Sequence, residues 1–338
     1  MKKDKVIFFE RKFPSANMVL IKDRYPILID SGFGSDAAET EQLIIEAGIQ
    51  PDELQLIVNT HYHSDHVGGN FHLQNKYGIE VAAHKWEAAL INKHDAEACS
   101  SEWLDQPLEP YYVDIELSDH DEISAGSSTL QVLHTPGHTL GHLSLYEPEE
   151  RILFCGDLFH SNDVGWLNIF REGVSAIQRS IESLERISKL KINSAYSGHG
   201  PQIEKPVHSL DAARKRLEKW LVNPDKVSWH ACKRIFAFTL IMKDGLNKEE
   251  IENYLLNCGW FQDFSRVAFQ YQPEEFTQVL VDEMIRSGGA YWQGSRLIAA
   301  APYTVPQKSW LDRNIKPRNW VMDYEKMFRG SSNEFKRG

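Results

Sequence analysis

Three imidazoles and a carboxylate fall within one short stretch, His61-Tyr62-His63-Ser64-Asp65-His66, directly after the apolar run Leu54-Gln55-Leu56-Ile57-Val58. A strand that ends in such a cluster delivers metal ligands to a sheet edge. Alternate side chains of an extended stretch share a face, so His61 and His63 can grip one ion. Asp65 and His66 lie where the chain turns into the next helix and can reach a second ion. The spacing His-x-His-x-Asp-His therefore reads as a split site for two metals, and it points to a metal-dependent hydrolase.

Four further segments have the character of such a site. Thr135-Pro136-Gly137-His138-Thr139 puts a histidine in a tight turn after a strand, and Cys155-Gly156-Asp157 puts a carboxylate at a strand end. Ser197-Gly198-His199-Gly200-Pro201 carries a histidine in a Gly-rich loop, and Ile29-Asp30-Ser31-Gly32 carries an acid in a similar place. Glycine lets the backbone pass close to another group, and each polar side chain sits on a loop held by a rigid strand.

The chain is long enough, at 338 residues, for a full α/β domain and a smaller module. No apolar run approaches the roughly 20 residues of a membrane span, so no membrane role is expected. The basic start Met1-Lys2-Lys3 leads to an apolar stretch that Glu10-Arg11-Lys12 breaks, unlike a signal peptide. Cys99, Cys155, Cys232 and Cys258 show no Cys-x-x-Cys spacing. That argues against a disulfide framework or a thiolate zinc site, and the expected compartment is a reducing cytoplasm. The net charge of -11 divides unevenly, with -16 over residues 1–204 and +5 over 205–338.

Strands are expected at Met18-Ile21, Pro26-Asp30, Leu54-Val58, Glu80-His84, Thr129-Leu133, His142-Tyr146, Arg151-Cys155 and Ile192-Tyr196. Helical spacing covers Ala37 to Ile49 and Val174 to Leu190. Residues 85–125 are less regular and read either as an insertion over the site, in the manner of a lid, or as a surface helix with a long loop. After about residue 205 the pattern becomes helical, over Ser209 to Val222, His230 to Met242, Asn247 to Asn257 and Glu274 to Ser287. A small hairpin over Gly288 to Ala299 follows. The fold class is α+β, with a catalytic domain over 1–204. Residues 205–338 form a winged-helix-like module with a basic, aromatic tail.

In order and spacing, His61-x-His63-x-Asp65-His66, His138, Asp157 and His199, with Asp30 upstream, resemble the metallo-β-lactamase-fold hydrolases. Within that superfamily the chain looks most like the glyoxalase-II-like and lactonase-like branch, over residues 14 to about 202. The resemblance implies an αββα sandwich. It implies that His61, His63 and His138 hold one divalent metal, that Asp65, His66 and His199 hold another, and that Asp157 bridges them. Asp30 would orient a ligand imidazole. Nitrogen and oxygen donors make zinc the default, with iron or manganese as alternatives. The family further implies hydrolysis by a metal-bridging hydroxide, with Asp65 as proton acceptor.

Other residues are read from position. His142 is expected beside the metals or on the strand face rather than on a metal. His160, three residues after Asp157, stands where the lactonase-like branch often has a tyrosine, and it could protonate a leaving alkoxide or thiolate. Trp166 and Phe170 could line the pocket, although an aromatic pair at i, i+4 is more often core packing. The expected partner is a small-molecule ester, thioester or lactone. Two alternatives on the same fold are an iron-dependent oxidoreductase and an endoribonuclease or phosphodiesterase. For the latter, RNA would meet Trp310, Arg313, Lys316, Arg318, Trp320, Tyr324, Lys326, Phe328, Arg329, Lys336 and Arg337.

Overall fold

Short apolar strands build two sheets in the first two thirds of the chain, in a computed structural model that describes residues 5–320. The first sheet contains β1 (Val6–Phe9), β2 (Met18–Ile21), β3 (Ile27–Ile29), β4 (Leu56–Val58), β5 (Glu80–His84) and β6 (Ile115–Leu117), side by side in that order. Its β1–β2 and β2–β3 pairs are antiparallel, and the pairs from β3 to β6 are parallel. The second sheet contains β7 (Glu122–Ser124), β8 (Thr129–His134), β9 (Leu143–Glu147), β10 (Ile152–Gly156) and β11 (Ser194–Ser197), in the order β11-β10-β9-β8-β7.

Successive strand residues face opposite sides, so each sheet supplies two cores. Between the sheets, Val19, Ile21, Ile27, Ile29 and Val58 meet Val132, Leu143, Leu145, Ile152 and Phe154. On the far side of the first sheet, Leu20, Leu28, Ile57 and Val81 pack with Ile44, Leu73 and Ile91. These three come from helices Ala37–Glu46, Asn70–Tyr77 and Lys85–Asn92. On the far side of the second sheet, Leu153 and Cys155 pack with Ile177, Ile181 and Leu184 of helix Ala176–Ser188, and with Leu210 and Leu217 of helix Pro206–Val222. The result is the expected αββα sandwich. Burial on both faces explains why the central strands read as continuous apolar runs.

Asn223-Pro224 interrupts the helical run, and helix Asp225–Met242 starts there, five residues earlier than the spacing suggests. Pro224 fits a helix start, where no backbone N–H is needed, and Asp225 suits the positive end of the helix. β12 (Leu246–Asn247), helix Lys248–Leu256, helix Gly259–Asp263, helix Pro273–Arg286 and the hairpin β13 (Ala290–Gln293) with β14 (Arg296–Ala299) follow. Asn247 and Glu250 form a reciprocal capping box at the start of helix Lys248–Leu256. Phe236, Trp260, Phe261, Phe264 and Phe276 form this region's own core.

The 85–125 stretch is more ordered than its sequence suggests. It supplies helix Lys85–Asn92, the turn Ser101–Leu104, and strands β6 and β7. Trp103 and Leu104 enter the C-terminal core, together with Trp166 and Phe170. Among the described residues no helix is long and apolar enough to cross a membrane.

Phe154 is 1% exposed and stacks on Tyr196, with ring centroids 5.7 Å apart, between the sheets. Phe154→Ala should cost about 3–5 kcal/mol. Urea unfolding should show a lower midpoint at unchanged slope.

Candidate metal centre

After β4 the chain bends at Thr60 and His61 and then enters the short helix Ser64–Val67, with an extended His63 at its N-cap. This geometry turns the rings of His61 and His63 toward the His138 loop. His61 Nε2 lies 3.1 Å from His63 Nδ1, which lies 2.9 Å from His138 Nε2, and that atom lies 3.1 Å from His61 Nε2. Three nitrogens thus form a triangle with sides near 3 Å. Tetrahedral zinc, with Zn–N near 2.0–2.1 Å, separates its ligand atoms by about 3.3 Å.

The outer nitrogens decide which lone pairs are free. His138 Nδ1 donates to the Trp166 carbonyl at 2.5 Å, so its Nε2 carries the lone pair. Thr60 Oγ1 donates to Asp30 Oδ2 at 2.7 Å and so accepts from His61 Nδ1 at 3.2 Å, which leaves His61 Nε2 unprotonated. His66 Nδ1 lies 2.7 Å from Asp30 Oδ2, and its Nε2 points the other way, 3.5 Å from Asp157 Oδ1. Asp65 Oδ2 lies 3.2 Å from His199 Nε2, and Asp157 Oδ2 lies 3.6 Å from that nitrogen and 3.8 Å from His138 Nε2. The predicted ligands are brought together in overlapping groups: His61, His63 and His138; His61, His66 and Asp157; Asp65, His66 and His199.

Two close approaches explain the glycines around the acids. A Cβ on Gly198 would lie 2.2 Å from Asp157 Oδ1 and 2.5 Å from His66 Cε1. One on Gly165 would lie 2.2 Å from the Asp157 carbonyl oxygen and 2.9 Å from His138 Nδ1. His142 stands one layer back. Its Nε2 accepts from the Asp157 backbone N–H at 3.1 Å, and its Nδ1 donates to Thr135 Oγ1 at 2.9 Å.

The electrostatics suit cations. Burial holds His61 and His63 well below the usual imidazole range, so both offer neutral nitrogens. Burial opposes charge on His66 too, but the Asp30, Asp157 and Asp65 carboxylates around it outweigh that and hold it well above its ordinary value. Burial likewise works against ionising Asp157, yet His199 and His66 keep it well below the carboxylate range. The acids call for positive charge in their midst. His66 Nε2 and Asp157 Oδ1 are buried without a hydrogen-bond partner among the described residues. Orphaned buried polar atoms are costly, and a divalent cation would satisfy both. The donor set therefore fits two such ions.

A cavity of about 380 Å³ opens over this cluster. His63, Asp65, Asp157, His160 and His199 form its polar floor, and Phe13, Trp166, Ile235, Phe238 and Ile241 line the rest. Trp166 stacks on the His63 ring at 5.1 Å, so it belongs to the site, whereas Phe170 packs edge-on against Phe264, as its spacing suggests. His160 lines the cavity, its ring 5.8 Å from that of His199 and its Nδ1 unpartnered among the described residues. Burial pushes His160 down to about 3. Sequence reasoning missed Thr60, Gln106, Asp163 and Arg234. Single polar residues without a motif carry no pattern to detect.

Asp30→Ala removes the acceptor that orients His66 and, through Thr60, His61. Metal affinity should fall about 10–100-fold, as read by competition with a chromophoric chelator.

Glu87 is also buried near the site. Its Oε1 accepts the Thr139 hydroxyl at 2.5 Å, and its Oε2 has no partner among the described residues. Burial pushes its carboxyl up from 4.5 to about 8, and neighbouring Glu172 adds to the shift. The unfolded chain ionises Glu87 from about pH 4.5, while the folded chain resists until about 8. Folding should therefore weaken as pH rises across that window and level off above it. Thermal melts in a pH series should show this slope, and Glu87→Gln should reduce it, leaving the share of Glu172, which burial pushes up to about 7.

The Metallo-beta-lactamase superfamily model matches residues 11–221. Hydroxyacylglutathione hydrolase of Pelagibacter ubique is 31% identical over 165 residues, which is 48% of this chain and 59% of that protein. Beta-lactamase-like protein 2 homolog of Caenorhabditis elegans is 31% identical over 189 residues, 55% of each chain. The chain thus spans little more than half the length of these curated relatives. Among solved structures, a metallo-beta-lactamase family protein from Thermus thermophilus superposes with a TM-score of 0.56 at 18% identity, covering 87% of this chain and 98% of that one. A Cronobacter sakazakii metallo-beta-lactamase gives 0.55 at 20% identity, over 64% of this chain and 92% of that one. With the family model covering more than half of its residues and the sandwich and histidine cluster in place, this chain belongs to the metallo-beta-lactamase superfamily, a family of metal-dependent hydrolases.

Proposed function

We propose that the protein is a dinuclear metal-dependent hydrolase of a small-molecule ester, thioester or lactone, with zinc as its default metal. The observation that carries this reading is the ligand cluster at the floor of a small, mostly apolar cavity. Such a cavity suits a compact acyl compound. The name of the Pelagibacter relative, hydroxyacylglutathione hydrolase, supports an acyl substrate.

His61, His63 and His138 would hold one ion, and Asp65, His66 and His199 the other, with Asp157 between them. Bound divalent cations supply an activated water at neutral pH and polarise the scissile carbonyl. Asp65, which lines the cavity floor beside His199, would accept the proton. Burial holds His160 down at about 3, and a ring biased toward the neutral form suits a hydrogen bond to a developing oxyanion better than outright proton donation. Phe13, Phe238 and Ile241 exclude water from the reacting centre.

The described part of the basic, aromatic tail supports a covering role rather than RNA binding. Arg313 pairs with Glu109 at 2.9 Å, Lys316 with Asp105 at 2.6 Å and Arg318 with Glu102 at 3.0 Å. Trp320 is buried and its indole N–H donates to the Leu108 carbonyl at 2.9 Å. These contacts clamp the tail onto the segment that brings Leu104 and Gln106 to the cavity. Tyr324, Lys326, Phe328, Arg329, Lys336 and Arg337 lie outside the described residues.

The test is a hydrolysis panel on metal-loaded protein: thioesters including S-lactoylglutathione, aryl esters, acyl-homoserine lactones and single-stranded RNA. Asp157→Ala and His63→Ala serve as controls. Cleavage of carbonyl substrates, reduced at least about 100-fold in both variants with less bound metal, is the expected outcome. RNA cleavage alone would replace this reading with a nuclease.

A further inference from the structure

Arg234 is the only lysine or arginine among the described residues that line the cavity over the metal cluster. It projects from helix Asp225–Met242, which roofs the cavity with Ile235, Phe238 and Ile241. Its Nη2 contacts Asp163 Oδ2, and that contact fixes one arm of the guanidinium. Asp163 does not neutralise the site, because Arg216 Nη1 also lies 3.1 Å from its Oδ1. Two guanidinium groups thus share one carboxylate. The third neighbour, His230 Nε2 at 3.2 Å, adds no charge, since burial pushes that imidazole down to about 3. A net positive charge remains at the roof.

The remaining donors of Arg234 have no partner among the described residues, and its side chain is 44% exposed. A guanidinium anchored on one arm, with donors open to an apolar cavity, has the geometry that recognises a carboxylate in two-pronged fashion. Gln106 adds a second donor. Its Oε1 accepts the Ser64 hydroxyl at 2.6 Å, so its amide NH2 group is left for the cavity it lines. The apolar wall between the roof and the metal floor would be filled by a short hydrocarbon segment.

We infer that the preferred substrate is a small acyl compound bearing a carboxylate, with its scissile carbonyl at the metal cluster and its carboxylate on Arg234. This rests on the hydrolase reading above and narrows its substrate class. Arg234 is the specificity-determining residue, and Asp163 positions it.

The experiment compares matched substrates on the metal-loaded full chain: monoaryl esters of succinate, glutarate and adipate against aryl butyrate, valerate and hexanoate. At least one carboxylate-bearing ester should show kcat/KM about tenfold or more above its neutral partner, mainly through KM. Arg234→Gln should collapse that ratio toward unity, and Arg234→Lys should restore part of it. The ratio between substrates is the readout, so a general loss of activity from disturbing the Asp163 loop does not imitate the result. Equal or better turnover of the neutral esters by the wild type, or a ratio indifferent to Arg234→Gln, overturns the inference.

Calorimetric titration with adipate and with hexanoate separates this from the hydrolase reading. Both ligands offer one carboxylate to the metals, and only adipate has another for Arg234. Tighter binding of adipate by about tenfold in the wild type, lost in Arg234→Gln, supports the anion site even where none of the esters is cleaved. Equal binding overturns it even where all of them are.

Discussion

A single buried carboxylate, Asp30, organises the metal edge of the sandwich. It is 2% exposed at the end of β3, and its backbone adopts φ 58°, a left-handed conformation that costs a non-glycine residue about 1–3 kcal/mol. Its hydrogen bonds offset that strain. Oδ1 accepts the Thr60 backbone N–H at 2.8 Å, while Oδ2 accepts the Thr60 hydroxyl and faces His66 Nδ1 at 2.7 Å. Through Thr60 the same carboxylate also fixes the tautomer of His61. One acid thus aims an imidazole toward each half of the cluster. The parallel pairing of β3 with β4, Ile29 opposite Val58, brings Asp30 beside Thr60. The site inherits its precision from a sheet packed on both faces.

That dependence explains what the sequence revealed. The grouping of His61, His63, Asp65 and His66 was legible because four potential metal donors in one short stretch have few other uses. His138, Asp157 and His199 were legible as candidates because each follows a strand and sits beside glycine. The sandwich was legible from the same runs, since strands buried on two faces leave little room for polar residues. Boundaries were less so: the start of helix Asp225–Met242 turns on Pro224 and Asp225, two residues outside the apolar periodicity. Residues 85–125 looked irregular because their helices are short and their apolar groups serve separate cores, Ile91 one and Leu104 another. The spacing of Trp166 and Phe170 leaves pocket lining and core packing both open, with core packing favoured, and the two rings diverge, one onto His63 and one onto Phe264. Spacing along a chain cannot distinguish those destinations when the segment is a loop.

The roof over the cavity has the same logic as the floor, carried out by long-range contacts. Loop residues 160–166 carry the Trp166 carbonyl that orients His138 and the Asp163 carboxylate that joins helix Asp225–Met242. The backbone N–H of His160 donates to the Asp163 carbonyl at 2.8 Å, which tightens the loop beneath that joint. The ring of Phe13 stacks on His199 at 4.8 Å and also meets Phe238 from the roof edge-on. Polar and aromatic contacts on opposite sides of the cavity therefore register one helix against the metal edge.

The consequence is electrostatic. Charges interact far more strongly in a site walled by apolar side chains than in water. The pull of Asp30, Asp157 and Asp65 on His66 is strong for that reason, and so is their demand for a cation. Remove helix Asp225–Met242 and Ile235, Phe238 and Ile241 leave the cavity, so water would reach the carboxylates and screen them. The helical module is thus better regarded as a wall of the metal centre than as an appendage. The histidines and carboxylates of the cluster form the polar floor, and the roof sets the dielectric in which their charges act.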